Sequence, residues 1–378
     1  MSEKSQRIAQ FVMKISKLCN LRCRYCYEMN ELDQTAIMSR DELRRIYANI
    51  REHYVARDHA DNARTEVRFI WHGGEPLLVE PAQYWQTFED QRDIFGPDQP
   101  LQNTVQTNLT ILDEERIRLL RDGFQSFGVS VDLFGGLRVN LAGRDQQRRV
   151  LRNMDVLRAE GLRFGGLTVL TKLNIGHVRE IFRFYERAKL GFRVLPLFAG
   201  AFDGQHDDYE LTSAEIVEAY RTLIDLWLQS NEPPEILPLT GYLKATAYAL
   251  DGGTAGYFNK RDWNPAILVN IDGELFHTAD PYGDPTWSLG NLIKTPLSRI
   301  VASPQMEKSL HEAERRLAFN CTRCRFFGKA CSGYPVVEEQ SNCRELDDGG
   351  IPVCVVEKQT FEHIERRLRQ AGLAAAET

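Results

Sequence analysis

The stretch FVMKISKLCNLRCRYC, residues 11–26, decides how this chain is read. Phe11–Ser16 has the apolar, β-favouring character of a strand. It runs directly into a loop that carries Cys19, Cys23 and Cys26. Working outward, Val67–Trp71 and Thr104–Thr107 read as second and third strands, and Ile111–Leu120 as the helix after the third. Phe127–Val131, Leu167–Leu170 and Phe192–Leu197 read as the fourth, fifth and sixth. Helices fall between them. One is opened by a capping box of Ser39 and Glu42, and another by Thr212 and Glu215. A third, over residues 145–160, has an apolar stripe at Val150, Leu151, Met154 and Leu157 and stops at Gly161. Six strand–helix units in succession predict parallel strands with right-handed crossovers, hence an α/β fold. Periodicity leaves a doubly wound layer and a complete or partial barrel equally open. In each, functional groups collect at the C-terminal ends of the strands, where the cysteine loop, His72–Pro76 and Gln106–Asn108 fall.

The eight cysteines lie in two groups: Cys19, Cys23 and Cys26, then Cys321, Cys324, Cys331, Cys343 and Cys354. In a reducing compartment such grouping points to metal or iron–sulfur ligation rather than disulfides. Three thiolates in a C-x3-C-x2-C loop suit three irons of a cubane and leave the fourth iron open to a non-protein ligand. Structural zinc asks for four ligands, and the nearest histidines, His53 and His59, fall in a predicted helix. A net charge of −6 gives no electropositive footprint for nucleic acid. No apolar run approaches the roughly 20 residues that span a bilayer, and MSEKSQRIAQ lacks the core of a secretory signal. The expectation is a cytoplasmic protein without a nucleic-acid or membrane partner.

The cysteine spacing, Tyr25 just before the last cysteine, and Gly73-Gly74-Glu75-Pro76 after the second strand together resemble the radical S-adenosylmethionine (SAM) superfamily. The resemblance implies a partial (β/α)6 TIM-like barrel over residues 1–230. It implies a [4Fe–4S] cluster on Cys19, Cys23 and Cys26 with SAM on its open iron. Reductive cleavage of SAM would give a 5′-deoxyadenosyl radical that abstracts hydrogen from a substrate. Gly73, Gly74 and Glu75 are then expected along the SAM amino group, the glycines admitting backbone carbonyls to the ligand and the carboxylate suiting an ammonium. Asn108 is expected near the site and Tyr25 beside the cofactor. Ser130 is a candidate for the ribose hydroxyls and Arg144 for the SAM carboxylate. Ser130 and Asp132 match the family's fourth-strand segment, but Leu133-Phe134-Gly135 follows where the family has glycine directly.

Residues 231–265, with Pro233, Pro234, Pro238 and the Gly252–Gly253 pair, read as a linker into a smaller domain over 266–378. That domain opens with a hairpin, Ala266–Asn270 and Glu274–Thr278, joined by Asp272–Gly273, and ends in a helix, Val356–Gln370. Its cysteines resemble the auxiliary Fe–S (SPASM or twitch-like) domain of peptide- and protein-maturing relatives. Thr278 and Pro335 stand where that family places cluster cysteines, so one auxiliary [4Fe–4S] cluster is expected instead of two. Its ligands would be Cys321, Cys324, Cys331 and Cys354, with Cys343 the competitor for the last place and a zinc ribbon the alternative. Asp280 is the candidate catalytic base by loose analogy with sulfatase maturases. The implied substrate is a peptide or protein side chain, crosslinked or oxidised; a small molecule is the alternative, and a silent Fe–S scaffold the third reading. A reductant such as flavodoxin or ferredoxin is implied. About ten residues precede the first strand, so a leader-recognition domain is expected to be absent, and a peptide would bind directly or through a separate peptide-recognition protein.

Overall fold

Along the chain the strands are β1 (Ser5–Ser16), β2 (Ala63–Gly73), β3 (Leu101–Thr107), β4 (Ser126–Ser130), β5 (Gly165–Leu170), β6 (Phe192–Pro196), β7 (Ile236–Leu237), β8 (Ile267–Val269), β9 (Glu274–His277) and β10 (Gly290–Asn291). The longer helices are α1 (Arg40–Asp61), α2 (Pro81–Phe95), α3 (Gln147–Ala159), α4 (Val178–Ala188), α5 (Ser213–Gln229), α6 (Leu239–Leu250), α7 (Pro304–Arg316) and α8 (Val356–Gln370). The computed structural model describes residues 5–197, 208–261, 266–277, 282–333 and 353–372.

Strand alternation sorts the layers. On β1, Ala9, Phe11, Met13 and Ile15 are buried on one face, and Phe11 packs edge-on against Tyr54 of α1. On β2, Val67, Phe69 and Trp71 share that layer, with Trp71 edge-on to Tyr84 of α2. Lys14, Ser16 and His72 therefore lie on the opposite face. Both expected capping boxes form, Ser39 with Glu42 at α1 and Thr212 with Glu215 at α5.

Two compact units result. The first comprises Met1–Ser130, Arg138–Phe164 and Lys260–His311. Its strands run in the order β10-β9-β8-β1-β2-β3-β4, parallel from β8 to β4. The second comprises Val131–Leu137, Gly165–Asn259 and Glu312–Thr378, with β5, β6 and β7 parallel.

Three features differ from the expectation. The hairpin forms, β8 antiparallel to β9, but β8 also pairs with β1 through Phe11↔Ile267 and Met13↔Val269. Residues 260–311 thus join the first unit, because β1 offers an edge that needs a partner for its backbone. The stretch expected as a linker is not simply one: Ile236–Leu237 form β7 and Leu239–Leu250 form α6. Leu239, Tyr242, Leu243 and Thr246 recur at helical spacing and are buried, while the prolines precede the helix. The helix after β3 starts at Glu114, capped by Asp113, and ends in a wide turn at Leu119–Gly123.

Candidate metal and cofactor site

The cysteine loop leaves β1 in the first unit and is pinned from several sides. Cys19 N–H donates to Leu32 O (3.0 Å), and Cys26 N–H to Cys23 O (2.9 Å). Arg22 N–H donates to Val139 O (2.7 Å), and Leu21 bridges to Asn140. Leu21 and Leu32 are buried beneath the three thiols. Burial pushes Cys19 up to about 12 and Cys26 up to about 11. A thiolate forms in such surroundings only with a compensating cation, and metal ligation supplies one. Among the described residues no three His, Cys, Asp or Glu side chains converge on a single ion. A cubane makes no such demand, since it spreads its thiolates over separate irons. The donor set fits the implied cluster.

Gly73, Gly74 and Glu75 frame this loop. A Cβ on Gly73 would lie 2.1 Å from Ser16 O, and one on Gly74 2.2 Å from Lys17 O. The glycines therefore let the end of β2 press against the backbone that enters the cysteine loop, rather than simply leaving space for a ligand. Gly74 N–H donates to Ser16 O (3.0 Å) and Glu75 N–H to Leu18 O (2.9 Å). The Glu75 carboxylate, buried, accepts from Thr107 Oγ1 (2.6 Å), Asn108 N–H (2.6 Å) and Leu77 N–H (2.9 Å). Burial raises its pKa, and these three donors work against that rise. Asn108 Nδ2 donates to Asn20 Oδ1 (3.0 Å) and to Cys19 Sγ (3.8 Å).

Two residues not singled out from the sequence complete the surroundings. Arg138 donates from Nη2 to the Tyr25 hydroxyl (2.8 Å) and from Nη1 to Cys23 Sγ (3.8 Å). Arg144, the arginine expected here, is exposed in a turn where its backbone N–H donates to Asn140 Oδ1 (2.9 Å). Nothing in the spacing separates the two arginines. Lys14 is fully buried and donates to the Tyr27 hydroxyl (2.6 Å) and Glu28 Oε1 (2.9 Å). Burial opposes its charge, but Tyr27, Glu28 and Tyr282 more than offset this and raise its pKa. A lysine inside an apolar strand was the available signal, since such a charge demands a partner. Ser130 is buried and accepts from Gln106 Nε2 (2.8 Å).

The second unit gathers the other described cysteines. Cys324 N–H donates to Cys321 O (2.8 Å), and Cys331 N–H to Phe326 O (2.9 Å). Burial pushes Cys331 up to about 11, with Cys321, Glu357 and Cys324 adding. Cys354, just before α8, is raised by burial, then by Glu357, Cys331 and Cys321. Cys354 thus lies within electrostatic reach of Cys331 and Cys321. Cys343, Pro335, Thr278 and Asp280 lie outside the described residues. The described cysteines are all free thiols.

A parallel α/β sheet with three cysteine thiols on the loop after its first strand suits a protein that holds a metallocluster at that end of the sheet. Residues 13–185 match the family model described as Radical SAM superfamily, so the chain is an enzyme that carries a radical SAM domain over those residues. Its cofactors are accordingly SAM and a [4Fe–4S] cluster. The chain is 20% identical over 376 residues to the serine-type anaerobic sulfatase-maturating enzyme of Bacteroides thetaiotaomicron, covering 93% of this chain and 88% of that one. It is similar to the structure described as native anSMEcpe with bound AdoMet and Cp18Cys peptide. There the TM-score is 0.74 at 20% identity, covering 97% of this chain and 99% of the other. Streptococcus suis SuiB bound to precursor peptide SuiA gives a TM-score of 0.54 at 14% identity, covering 80% and 67%. The fold is that of these enzymes. No helix among the described residues is long and apolar enough to cross a membrane.

Proposed function

We propose that this chain modifies a side chain of a peptide or protein, by oxidation or crosslinking begun with hydrogen abstraction. The observation that carries the reading is a near full-length likeness to a sulfatase-maturating enzyme, matched by a fold likeness to two structures described with bound peptides. The cluster, when bound, supplies the electron that cleaves SAM and so provides the hydrogen-abstracting 5′-deoxyadenosyl radical. Cys19, Cys23 and Cys26 hold it. Glu75 and Asn108 hold the loop in place, Tyr25 flanks it, and Gly73 and Gly74 set the approach of β2. Ser130 and Arg144 keep their proposed roles toward the ribose hydroxyls and SAM carboxylate, and Asp280 that of substrate base. Cys321, Cys324, Cys331 and Cys354 hold one auxiliary [4Fe–4S] cluster, which carries electrons or staples the second unit. A flavodoxin or ferredoxin is the proposed electron donor, and a separate protein could present the peptide. A reducing cytoplasm suits the free thiols.

The test is to incubate reconstituted enzyme with SAM, dithionite and a panel of Cys- and Ser-containing peptides deuterated at the β-carbon. A mass loss in the peptide with deuterium in 5′-deoxyadenosine supports the reading. Deuterium transfer only from small amino acids or sugars would move the substrate to small molecules.

A further inference from the structure

Arg138 is buried beside the cysteine loop, and none of the roles above uses it. Its position is built by the chain around it. Gln146 N–H donates to Arg138 O (2.9 Å), and the next residue accepts Arg22 N–H at Val139 O (2.7 Å). Leu21 bridges to Asn140. Residues 138–140 therefore run along the loop, and the guanidinium reaches two of its members at once. Nη2 bonds the Tyr25 hydroxyl, Nη1 reaches Cys23 Sγ, and the guanidinium carbon lies 5.9 Å from the Tyr25 ring centroid.

The sulfurs are treated differently. Cys19 Sγ receives neutral donors, Leu21 N–H (3.4 Å) and Asn108 Nδ2 (3.8 Å). Cys23 Sγ receives a donor from a group that stays charged at every working pH. One-electron reduction adds a negative charge to a thiolate-ligated cluster, and that charge is shared with the sulfurs. A fixed cation hydrogen-bonded to one sulfur favours the reduced form over the oxidised one.

We propose that Arg138 is a positioning residue that locks Tyr25 against Cys23 and raises the reduction potential of the cluster held by the three loop cysteines. This rests on ligation by Cys19, Cys23 and Cys26. The experiment is a dithionite titration of reconstituted full-length protein, followed by the electron paramagnetic resonance signal that changes when SAM is added. Arg138→Met should lower the reduced-to-oxidised ratio at a fixed potential about tenfold, equivalent to about 59 mV for a one-electron couple. Arg138→Lys, which keeps the charge, should recover most of that loss. Tyr25→Phe, which keeps the cation but removes its second bond, should broaden the signal while leaving the ratio within about twofold of wild type.

An Arg138→Met protein with full iron and an unchanged ratio overturns the inference, as does a lysine variant no better than methionine. If Arg138→Met takes up no iron, the ratio is read on Arg138→Gln, which keeps a neutral donor: a ratio well below wild type supports the role, and an unchanged ratio overturns it. If neither loads, Arg138 serves the fold alone and the inference fails. The ligation reading is tested separately by Cys23→Ala. A SAM-sensitive signal that survives this change refutes ligation, whereas its loss alongside an unchanged Arg138→Met ratio refutes only the inference.

Discussion

Replacing Gly74 by alanine tests whether the glycine pair shapes the loop or only leaves room for a ligand. An alanine Cβ would meet Lys17 O at 2.2 Å and Leu18 O at 2.4 Å. Carbon–oxygen contacts settle near van der Waals distance, about 3.5 Å, so the loop backbone must retreat by roughly 1 Å. Overpacking of this kind costs about 1–3 kcal/mol. The same retreat strains the bond from Glu75 N–H to Leu18 O, worth about 1 kcal/mol more. The sum, about 2–4 kcal/mol, predicts a fall in the melting temperature of the metal-free protein on the order of 3–5 °C for a chain of 378 residues. Gly176→Ala is the control, because nothing lies within 4 Å of its added Cβ. Iron content after reconstitution should also fall for Gly74→Ala, since Cys19 follows the displaced carbonyl by one residue. A Gly74→Ala protein that melts like wild type, loads full iron and shows only weaker SAM binding would refute the reasoning. In that case the glycine would serve the ligand alone.

Lys14→Met should cost about 3–5 kcal/mol in the metal-free protein, because it leaves the buried Glu28 carboxylate unpaired; the double variant with Glu28→Gln should regain part of it, and additive losses in denaturant titrations would show that the pair is not coupled. Cys354→Ser should lower reconstituted iron from about eight to about four per chain while the SAM-sensitive signal persists. Full iron in that variant would pass the fourth ligand to Cys343. Hydrogen bonds from Arg40, with Arg44 adding, hold the Asp90 carboxyl below its usual range. A depressed carboxyl contributes stability above its unfolded value, about 3.9, and loses it as pH falls through the lower folded value. Wild type should therefore lose stability more steeply than Asp90→Asn below about pH 4, and parallel stability curves would remove Asp90 from the acid limb.

What the chain revealed before folding follows the range of the interactions involved. Ser39 with Glu42 and Thr212 with Glu215 close over three residues, so both caps were readable and both form. The six strands β1 to β6 announced themselves by local pattern as well, and the hairpin by Asp272–Gly273, whereas the two-residue strands β7 and β10 are too short to show one. The pairing of β8 with β1 joins Phe11 to Ile267, and no local pattern encodes a contact across that separation. The helix Leu239–Leu250 was hidden differently: the prolines before it and the Gly252–Gly253 pair after it drew attention away from a stripe only four residues long. Arg138 and Arg144 are six apart on a stretch without regular structure. Only the run of backbone from Arg138 to Asn140 along the loop decides which of them reaches Tyr25 and Cys23.

Glu75 carries this furthest. A carboxylate offers about four lone-pair directions, and here protein donors take three of them. Its own N–H reaches Leu18 on one side, its carboxylate reaches Asn108 on the other, and Asn108 reaches Cys19 Sγ. Leu18, Glu75, Asn108 and Cys19 thus form a closed ring of bonds around the first thiolate. Breaking the ring at Glu75 would leave two buried backbone donors, Leu77 N–H and Asn108 N–H, without acceptors, at about 1–3 kcal/mol each. It would also release the sulfur's own donor. A carboxylate this engaged has one direction left for a cofactor ammonium, and the protein has already fixed the position of the group that would offer it.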